Sequence, residues 1–240
     1  MDYATAHFAE SGYIVLPQCM NAARLASLRS ELASGMPGAG RRTLLADSQV
    51  IRDFAAYELA ALLEPFGPEN HFPVRVLLFD KSPRTNWNVP WHQDEFIAVA
   101  ERNHVDGFGG WSVKEGVWHA QAPRAVLERM LTVRLHLDDC APENGPLRVI
   151  PGSHRLGRLD VEAIADCRAK IPAEEIHCRA GDALVMRPLL LHASSKAARP
   201  FRRRVLHVEF ASEELPGGLE WAATTSLHQR PASVPAGGKS

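Results

Sequence analysis

The stretch Trp91-His92-Gln93-Asp94 is the part of the chain from which its fold is best interpreted. On an extended strand, side chains two positions apart project from the same face, so His92 and Asp94 point the same way. An imidazole nitrogen and a carboxylate oxygen on one face supply two of the three protein ligands of a common kind of metal site. The stretch therefore predicts a strand that ends at a metal, with a third ligand elsewhere in the chain.

The natural third ligand is His192, because it ends the apolar run at residues 189–191, as a ligand on a buried strand would. Two histidines and one carboxylate on one face of an octahedron are typical of non-haem Fe(II) oxygenases. The His-x-Asp pair alone is a weak signal, because the chain contains 11 histidines and 28 acidic residues. A surface histidine, or one hydrogen-bonded in the core, remains the alternative at each position.

Three further motifs accompany WHQD at separated positions. They are ENGPLRVIPGSH at residues 143–154, LLLHAS at residues 189–194, and the strand-like stretch at residues 202–210 that contains Arg203. Together the four motifs resemble the phytanoyl-CoA dioxygenase family of Fe(II)/2-oxoglutarate oxygenases. The resemblance extends over roughly residues 70–212. It implies that His92, Asp94 and His192 bind Fe(II), and that the cosubstrates 2-oxoglutarate and O2 take the open positions.

The C5 carboxylate of 2-oxoglutarate requires a cation at a fixed distance and orientation. A guanidinium provides this through a bidentate fork that lysine cannot match. The spacing in the resembled family assigns this role to Arg203 rather than to Arg202 or Arg204. Strand alternation places those two neighbours on the opposite face.

Three other side chains are candidates for contacts with 2-oxoglutarate. Ser194 follows the distal histidine by two residues and shares its strand face. Residues 131–138 alternate, and the face with Arg134 and His136 predicts a lined pocket, with an exposed edge strand as the alternative. The resemblance makes Arg134 the stronger candidate of the two. Gln93 should face away from the metal on a regular strand and is a candidate only if the strand end twists.

Two more polar residues are interpreted as non-catalytic. His154 follows a Pro-Gly turn in a motif outside the implied iron ligands and is expected to be structural. Lys81 ends the strand that precedes WHQD. It is interpreted as a solvated side chain, with a contact to substrate or cosubstrate as the alternative.

The composition limits the class of protein. With 240 residues, 45% of them hydrophobic, the chain suits one globular domain with a sizeable core. A net charge of −1 argues against nucleic acid or an anionic membrane as a partner. Four cysteines without a C-x-x-C pair predict free thiols in a reducing cytosol, and hence a cytoplasmic location. Neither a secretory signal nor a transmembrane helix is expected.

The order of the predicted elements indicates a mainly β fold with flanking helices. Residues 1–70 are expected to be a helical support, with helices at 3–10, 21–34 and 51–66. From residue 71 onward about eight short strands with Gly and Pro turns favour a jelly roll. The resembled family has a cupin-like double-stranded β-helix of this kind. The expected organisation is one oxygenase domain at 1–221, its β-helix core at 71–212, and a flexible tail at 222–240.

Residues 95–125 are rich in glycine and aromatic residues and are expected to be irregular. A long loop beside a catalytic strand favours a lid or a binding loop. An Ω-loop packed by its own tryptophans is the alternative.

The resemblance implies hydroxylation of a small-molecule metabolite, with 2-oxoglutarate and O2 converted to succinate and CO2. The carboxylate of Asp94 favours hydroxylation over halogenation, because relatives that bind halide lack it. Two alternatives stay open: a cupin-like metal-dependent enzyme that does not use 2-oxoglutarate, and a small-molecule binding protein on the same fold. The primary substrate and the oligomeric state are left open by the sequence.

Overall fold

A computed structural model describes residues 2–33, 40–68, 70–199 and 201–223 of the chain. The α-helices are α1 Tyr3–Ser11, α2 Ala22–Ala33, α3 Leu44–Asp47, α4 Gln49–Asp53, α5 Arg124–Leu127 and α6 Val161–Lys170. The strands are β1 Tyr13–Leu16, β2 Gly40–Arg41, β3 Phe72–Lys81, β4 Val89–His92, β5 Phe96–Val99, β6 Gly109–Lys114, β7 Val117–Gln121, β8 Leu131–His136, β9 Leu147–Val149, β10 Glu174–Ile176, β11 Ala183–Met186, β12 His192–Ser194 and β13 Arg203–Ala211. A π-helical turn, Phe54–Leu59, continues α4.

Two antiparallel sheets form the body of the fold. The larger has the strand order β1-β11-β8-β13-β3-β2, and the smaller has the order β10-β9-β12-β4. Apolar side chains of β11, such as Leu184 and Met186, pack against Leu147 and Val149 of β9. This contact joins the two sheets face to face, as in a jelly roll.

Strand β13 shows why the larger sheet has two different faces. Leu206, Val208 and Phe210 belong to the buried cluster that includes Leu28 and Leu32 of α2, so this outer face packs on the helices. The alternate residues therefore point inward, toward the smaller sheet. The helical support was expected, but its third helix, expected at 51–66, begins earlier, as α4 at Gln49, and its helical residues end at Ala61. The π-helical turn Phe54–Leu59 forms its middle. The short helix α3 precedes it, separated by Ser48, whose hydroxyl accepts from the Ile51 N–H at 3.2 Å.

The expectation of an irregular segment over residues 95–125 is wrong. Strands β5, β7 and β6 form a third antiparallel sheet in that order. Its side chains pack in an apolar cluster around Trp221, which is 1% exposed. Trp221 also forms a β-bridge with Val99 of β5. The aromatic residues of this segment thus pack against a distant part of the chain instead of closing a self-contained loop.

The described chain continues past this bridge, and the Ala222 N–H donates to the Ala98 carbonyl at 3.2 Å. Residues 224–240, most of the expected tail, lie outside the described residues. Within the described residues, no helix combines the length and the apolar character needed to cross a membrane.

Candidate metal and cosubstrate site

The three expected metal ligands lie together at one edge of the smaller sheet. β4 ends at His92 and β12 begins at His192, and these two residues are direct antiparallel partners. Asp94 follows two residues after β4, where its N–H donates to the Pro188 carbonyl at 2.9 Å. One donor atom from each of the three side chains lies within 4.8 Å of the others.

Both imidazole rings are oriented by the backbone. The Nδ1 of His92 is 2.8 Å from the Pro90 carbonyl, and the Nδ1 of His192 is 2.8 Å from the Leu190 carbonyl. A carbonyl only accepts, so each Nδ1 carries the hydrogen and each Nε2 lone pair is free. Such contacts fix the tautomer of metal-binding histidines.

The electrostatics suit a divalent cation. Burial would raise the pKa of Asp94, but His192 and His92 hold it well below its usual range, so the carboxylate is ionised. Burial lowers the pKa of His192 to about 4, and this ring is neutral. Burial also lowers the pKa of His92, but the neighbouring Asp94 carboxylate and the Pro90 carbonyl together outweigh that effect and the pKa is raised. Among the described residues, Asp94 Oδ2 has no hydrogen-bond partner. A carboxylate and two imidazoles with free lone pairs are a fitting donor set for Fe(II).

The inner face of the larger sheet, opposite this cluster, is unusually polar. Across β13 and β3, Arg203 pairs with Lys81 and Glu209 pairs with Arg75. Across β13 and β8, His207 pairs with Arg134. Because every second residue of a strand shares a face, these side chains line the space between the sheets.

One end of this face is cationic. Arg203 is 4% exposed, Lys81 2% and Arg134 8%, and no carboxylate forms a salt bridge with any of them within the described chain. Arg203 donates through one terminal nitrogen to the Gly145 carbonyl at 2.5 Å. The Nε atoms of Arg203 and Arg134 are buried without a partner among the described residues. An uncompensated buried charge is costly, so this end fits the far carboxylate of 2-oxoglutarate.

Lys81 is not the solvated side chain that the sequence suggested. Its Nζ is 3.3 Å from the Ser194 hydroxyl and 2.8 Å from the Ser195 carbonyl. Burial, and then the charge of Arg203, lower its pKa to about 8. The contact with Ser194 of β12 joins the two sheets at the cationic end. The sequence did contain a signal for the inward orientation of Lys81. The two-residue period of a strand places Lys81 on the same face of β3 as Arg75.

Arg134 and His136 lie inside the fold, so the alternative of an exposed edge strand is wrong. An N–H of Arg134 donates to Nδ1 of His207 at 2.8 Å, which places the His207 hydrogen on Nε2. Burial lowers the pKa of Arg134 to about 10, and burial with the charge of Arg134 lowers the pKa of His136 to about 3. His207, which the sequence did not single out, therefore lies next to a buried cation.

Gln93 is not among the residues that the structure brings to the site. Its side-chain amide donates to the carbonyls of Gly157 and Leu189 at 2.8 and 2.6 Å, and it accepts from the Leu159 N–H at 2.8 Å. The amide thus holds neighbouring backbone. His154 packs against Gly12, where an added Cβ would lie 2.3 Å from its Nδ1, in agreement with a structural role.

The neighbours of Arg203 point away from the site. Arg202 forms an ion pair with Asp80 at 2.9 Å, and Arg204 forms one with Asp138 at 2.8 Å. The alternation of this strand thus leaves Arg203 as the arginine of the three that lies inside.

Comparisons with curated proteins identify relatives of this chain. L-proline trans-4-hydroxylase of Streptomyces griseoviridis is 32% identical over 170 residues, which cover 60% of this chain and 55% of that protein. Ectoine dioxygenase of Stutzerimonas stutzeri (strain A1501) is 28% identical over 160 residues, which cover 62% of this chain and 48% of that protein. The chain spans about half the length of these curated relatives.

Solved structures share the fold. The non-heme alpha ketoglutarate dependent epimerase SnoN from nogalamycin biosynthesis has a TM-score of 0.67 at 18% identity, over 87% of this chain and 79% of that chain. EctD from S. alaskensis has a TM-score of 0.66 at 22% identity, over 87% of this chain and 75% of that chain. These likenesses confirm the expected double-stranded β-helix.

The family description "Phytanoyl-CoA dioxygenase (PhyH)" matches residues 8–205. This range begins within α1, extends into β13, and includes the three clustered ligands and Arg203. The match extends over well more than half of the 240 residues. The chain therefore belongs to the phytanoyl-CoA dioxygenase family.

Proposed function

We propose that the chain is an Fe(II)- and 2-oxoglutarate-dependent dioxygenase that hydroxylates a small molecule. The observation that carries this proposal is the buried cationic end beside a cluster of two histidines and one aspartate. His92, Asp94 and His192 would hold the metal. Bound Fe(II) and 2-oxoglutarate would supply the oxidising chemistry, in which 2-oxoglutarate and O2 become succinate and CO2 and the substrate gains a hydroxyl group.

We assign the contacts of 2-oxoglutarate from the positions of the buried positive charges. Arg203 would bind the C5 carboxylate, because its Nε is buried without a partner among the described residues. Lys81 would add a second positive charge, and Ser194 would orient it through the contact of 3.3 Å. Arg134 would help to neutralise the bound dianion from the neighbouring strand. All three cations are buried, so water would be largely excluded from the bound anion.

The two alternative functions would not require the buried cations beside the metal ligands. A cupin-like metal enzyme without 2-oxoglutarate, or a binding protein, would use the three ligands but would not need three buried cations without acidic partners. The relatives named as a proline hydroxylase and an ectoine dioxygenase support oxidation of a small organic molecule. The carboxylate of Asp94 supports hydroxylation over halogenation.

The proposal includes the organisation and location of the protein. Residues 1–221 would act as one oxygenase domain, since α1 and α2 pack on the outer face of the sheet that carries Arg203. The four cysteines are free thiols, which supports a cytoplasmic location.

A binding experiment tests the proposed function. 2-Oxoglutarate is titrated calorimetrically into anaerobic protein that is loaded with Mn(II) as a redox-inert substitute for Fe(II). Binding that requires the metal, followed by succinate release when Fe(II) and O2 are supplied, is the expected result. Glutarate, which lacks the keto oxygen, is the matched control ligand and should bind more weakly. Metal-loaded protein that does not bind 2-oxoglutarate would favour the cupin-like alternative.

A further inference from the structure

The end of the polar inner face that lies away from Arg203 contains a second charged cluster. Thr132, Glu209 and Arg75 are direct partners across β8, β13 and β3, and we name them the Thr132–Glu209–Arg75 row. At about 3.4 Å per residue, Glu209 lies roughly 20 Å along β13 from Arg203 and about 7 Å from His207. The row is therefore too distant to contact the C5 carboxylate at the cationic end.

The metal ligands lie between these two ends. Asp94 interacts electrostatically with His207 and with Arg134, whose backbone positions form the neighbouring row of the same face. The guanidinium of Arg134 also interacts with Arg203, so it belongs to the cationic end. The Thr132–Glu209–Arg75 row is one step further along the sheet, on the side opposite to Arg203. A molecule bound on this row would reach the metal from the direction that 2-oxoglutarate leaves open.

The row contains a buried ion pair with unused hydrogen-bonding capacity. Arg75 donates to Glu209 at 3.0 Å, and their side chains are only 12% and 6% exposed. Within the described chain this is the single side-chain hydrogen bond of Arg75, and the other carboxylate oxygen of Glu209 has none. Buried ion pairs are stable only when further hydrogen bonds satisfy the remaining groups. His207 Nε2 is 3.6 Å from the same Glu209 oxygen that Arg75 binds.

Unpartnered polar atoms surround this ion pair. The Thr132 hydroxyl, on a residue with 0% exposure, and the Nε2 of His119, on a residue with 3% exposure, have no partner in the described part of the chain. His119 lies on β7 of the third sheet and interacts electrostatically with Arg75 and Glu209. Lys114 of β6 interacts with the same pair. The Nδ1 of His119 donates to the Val117 carbonyl at 3.0 Å, so its Nε2 is an acceptor. The third sheet thus closes this end of the site and adds an acceptor and a positive charge to it.

We propose that the Thr132–Glu209–Arg75 row is the primary-substrate subsite, and that it selects a small zwitterion with a carboxylate and a protonated amine. The inference rests on the proposed function and deepens it. The ligand carboxylate binds Arg75, with Lys114 behind it, and the ligand ammonium binds Glu209. Because the ligand carries one positive and one negative charge, its binding leaves the net buried charge unchanged. A simple anion would instead compete with Glu209 for Arg75 and leave one carboxylate uncompensated.

The test uses the protein loaded with Mn(II) and saturated with 2-oxoglutarate, without O2. The probes are the free proteinogenic amino acids, together with their N-acetyl and C-terminal amide derivatives, titrated calorimetrically. At least one free amino acid should bind, and removal of either of its charges should weaken binding at least about tenfold. The double variant Arg75→Gln/Glu209→Gln keeps the size and hydrogen bonding of the pair without its charges. It should weaken amino acid binding by a similar factor and leave the Kd of 2-oxoglutarate within about twofold.

Glu213→Gln is the matched control, because Glu213 forms an exposed ion pair with Arg129. It should bind the amino acid like the unmodified protein. The inference is overturned if free amino acids bind no better than their neutralised derivatives, or if the double variant binds them unchanged. Thr132→Val, which leaves both charges in place, provides a second variant should the double variant fail to fold, and it should weaken binding by a smaller factor. If the unmodified, Mn(II)-loaded protein does not bind 2-oxoglutarate at all, the proposed function itself is overturned.

Discussion

The substitution Arg203→Gln removes the guanidinium that we assign to the C5 carboxylate of 2-oxoglutarate. Arg203 is 4% exposed, and its Nε has no partner among the described residues, so water compensates little for its charge. A hydrogen bond to a charged group contributes roughly 1.5–3 kcal/mol. Since 1.4 kcal/mol corresponds to about tenfold in Kd, the full loss would be roughly 10- to 150-fold.

Two neighbouring cations reduce this loss. The charge of Arg203 is the second cause, after burial, of the lowered pKa of both Lys81 and Arg134. Without Arg203 this repulsion disappears, Lys81 is more fully protonated at neutral pH, and the remaining charges attract the ligand more strongly. The expected increase in Kd is therefore in the lower part of the range, about 10- to 50-fold.

The assay is anaerobic calorimetry of 2-oxoglutarate against Mn(II)-loaded protein. Arg202→Gln is the matched control, because Arg202 lies on the same strand-like stretch but pairs with Asp80 on the other face. It should change the Kd less than about twofold. A thermal unfolding curve checks the fold of Arg203→Gln, since Arg203 also donates to the Gly145 carbonyl. Unchanged 2-oxoglutarate affinity in a folded Arg203→Gln variant would refute the assignment, as would an equal loss in the control.

Three further predictions concern the metal, the pH dependence and the core. Asp94→Ala should abolish Fe(II)-dependent succinate release and weaken Mn(II) binding, and full turnover in this variant would contradict its role as a ligand. The pKa of Lys81 is lowered to about 8, so its charge is lost as the pH rises through 8. The Kd of 2-oxoglutarate should rise above that pH, and a Lys81→Met variant with the same pH profile as the unmodified protein would exclude this cause. Leu28→Ala removes a side chain with 0% exposure and should lower the free energy of unfolding in urea by about 2–5 kcal/mol. Val161→Ala, at a residue with 83% exposure, should change it by less than about 0.5 kcal/mol, and equal effects would contradict the burial of α2.

Two of the three candidate ligands were accessible from sequence because their geometry is local. His92 and Asp94 are two residues apart, and the period of a strand places them on one face whatever the rest of the fold does. The same period separates Arg203 from its two neighbours, whose acidic partners lie on the other face. Helix α2 was predictable for a related reason, since Leu25, Leu28 and Leu32 follow the helical period.

Strands whose pairing partners lie far away in the sequence were not predictable from local spacing. The third sheet joins β5 to β7 across about 20 residues and is closed by Trp221, more than 100 residues away. The glycine and aromatic content of its segment is equally typical of a loop. The bounds of the third helix were misplaced because it begins at Gln49, capped by Ser48, and a π-helical turn interrupts its period.

The pairing of His92 with Asp94 and the inward orientation of Arg203 follow from spacing along one strand, whereas four motifs in order along the chain indicate the family and, with it, His192. Which other polar residues face the same space depends on how the two sheets pack. Lys81, His207 and Glu209 are residue types that usually lie in water, and they become candidate site residues because two sheets bury them together. Burial is a property of the packed sheets, and no local pattern of residues specifies which polar side chains they enclose.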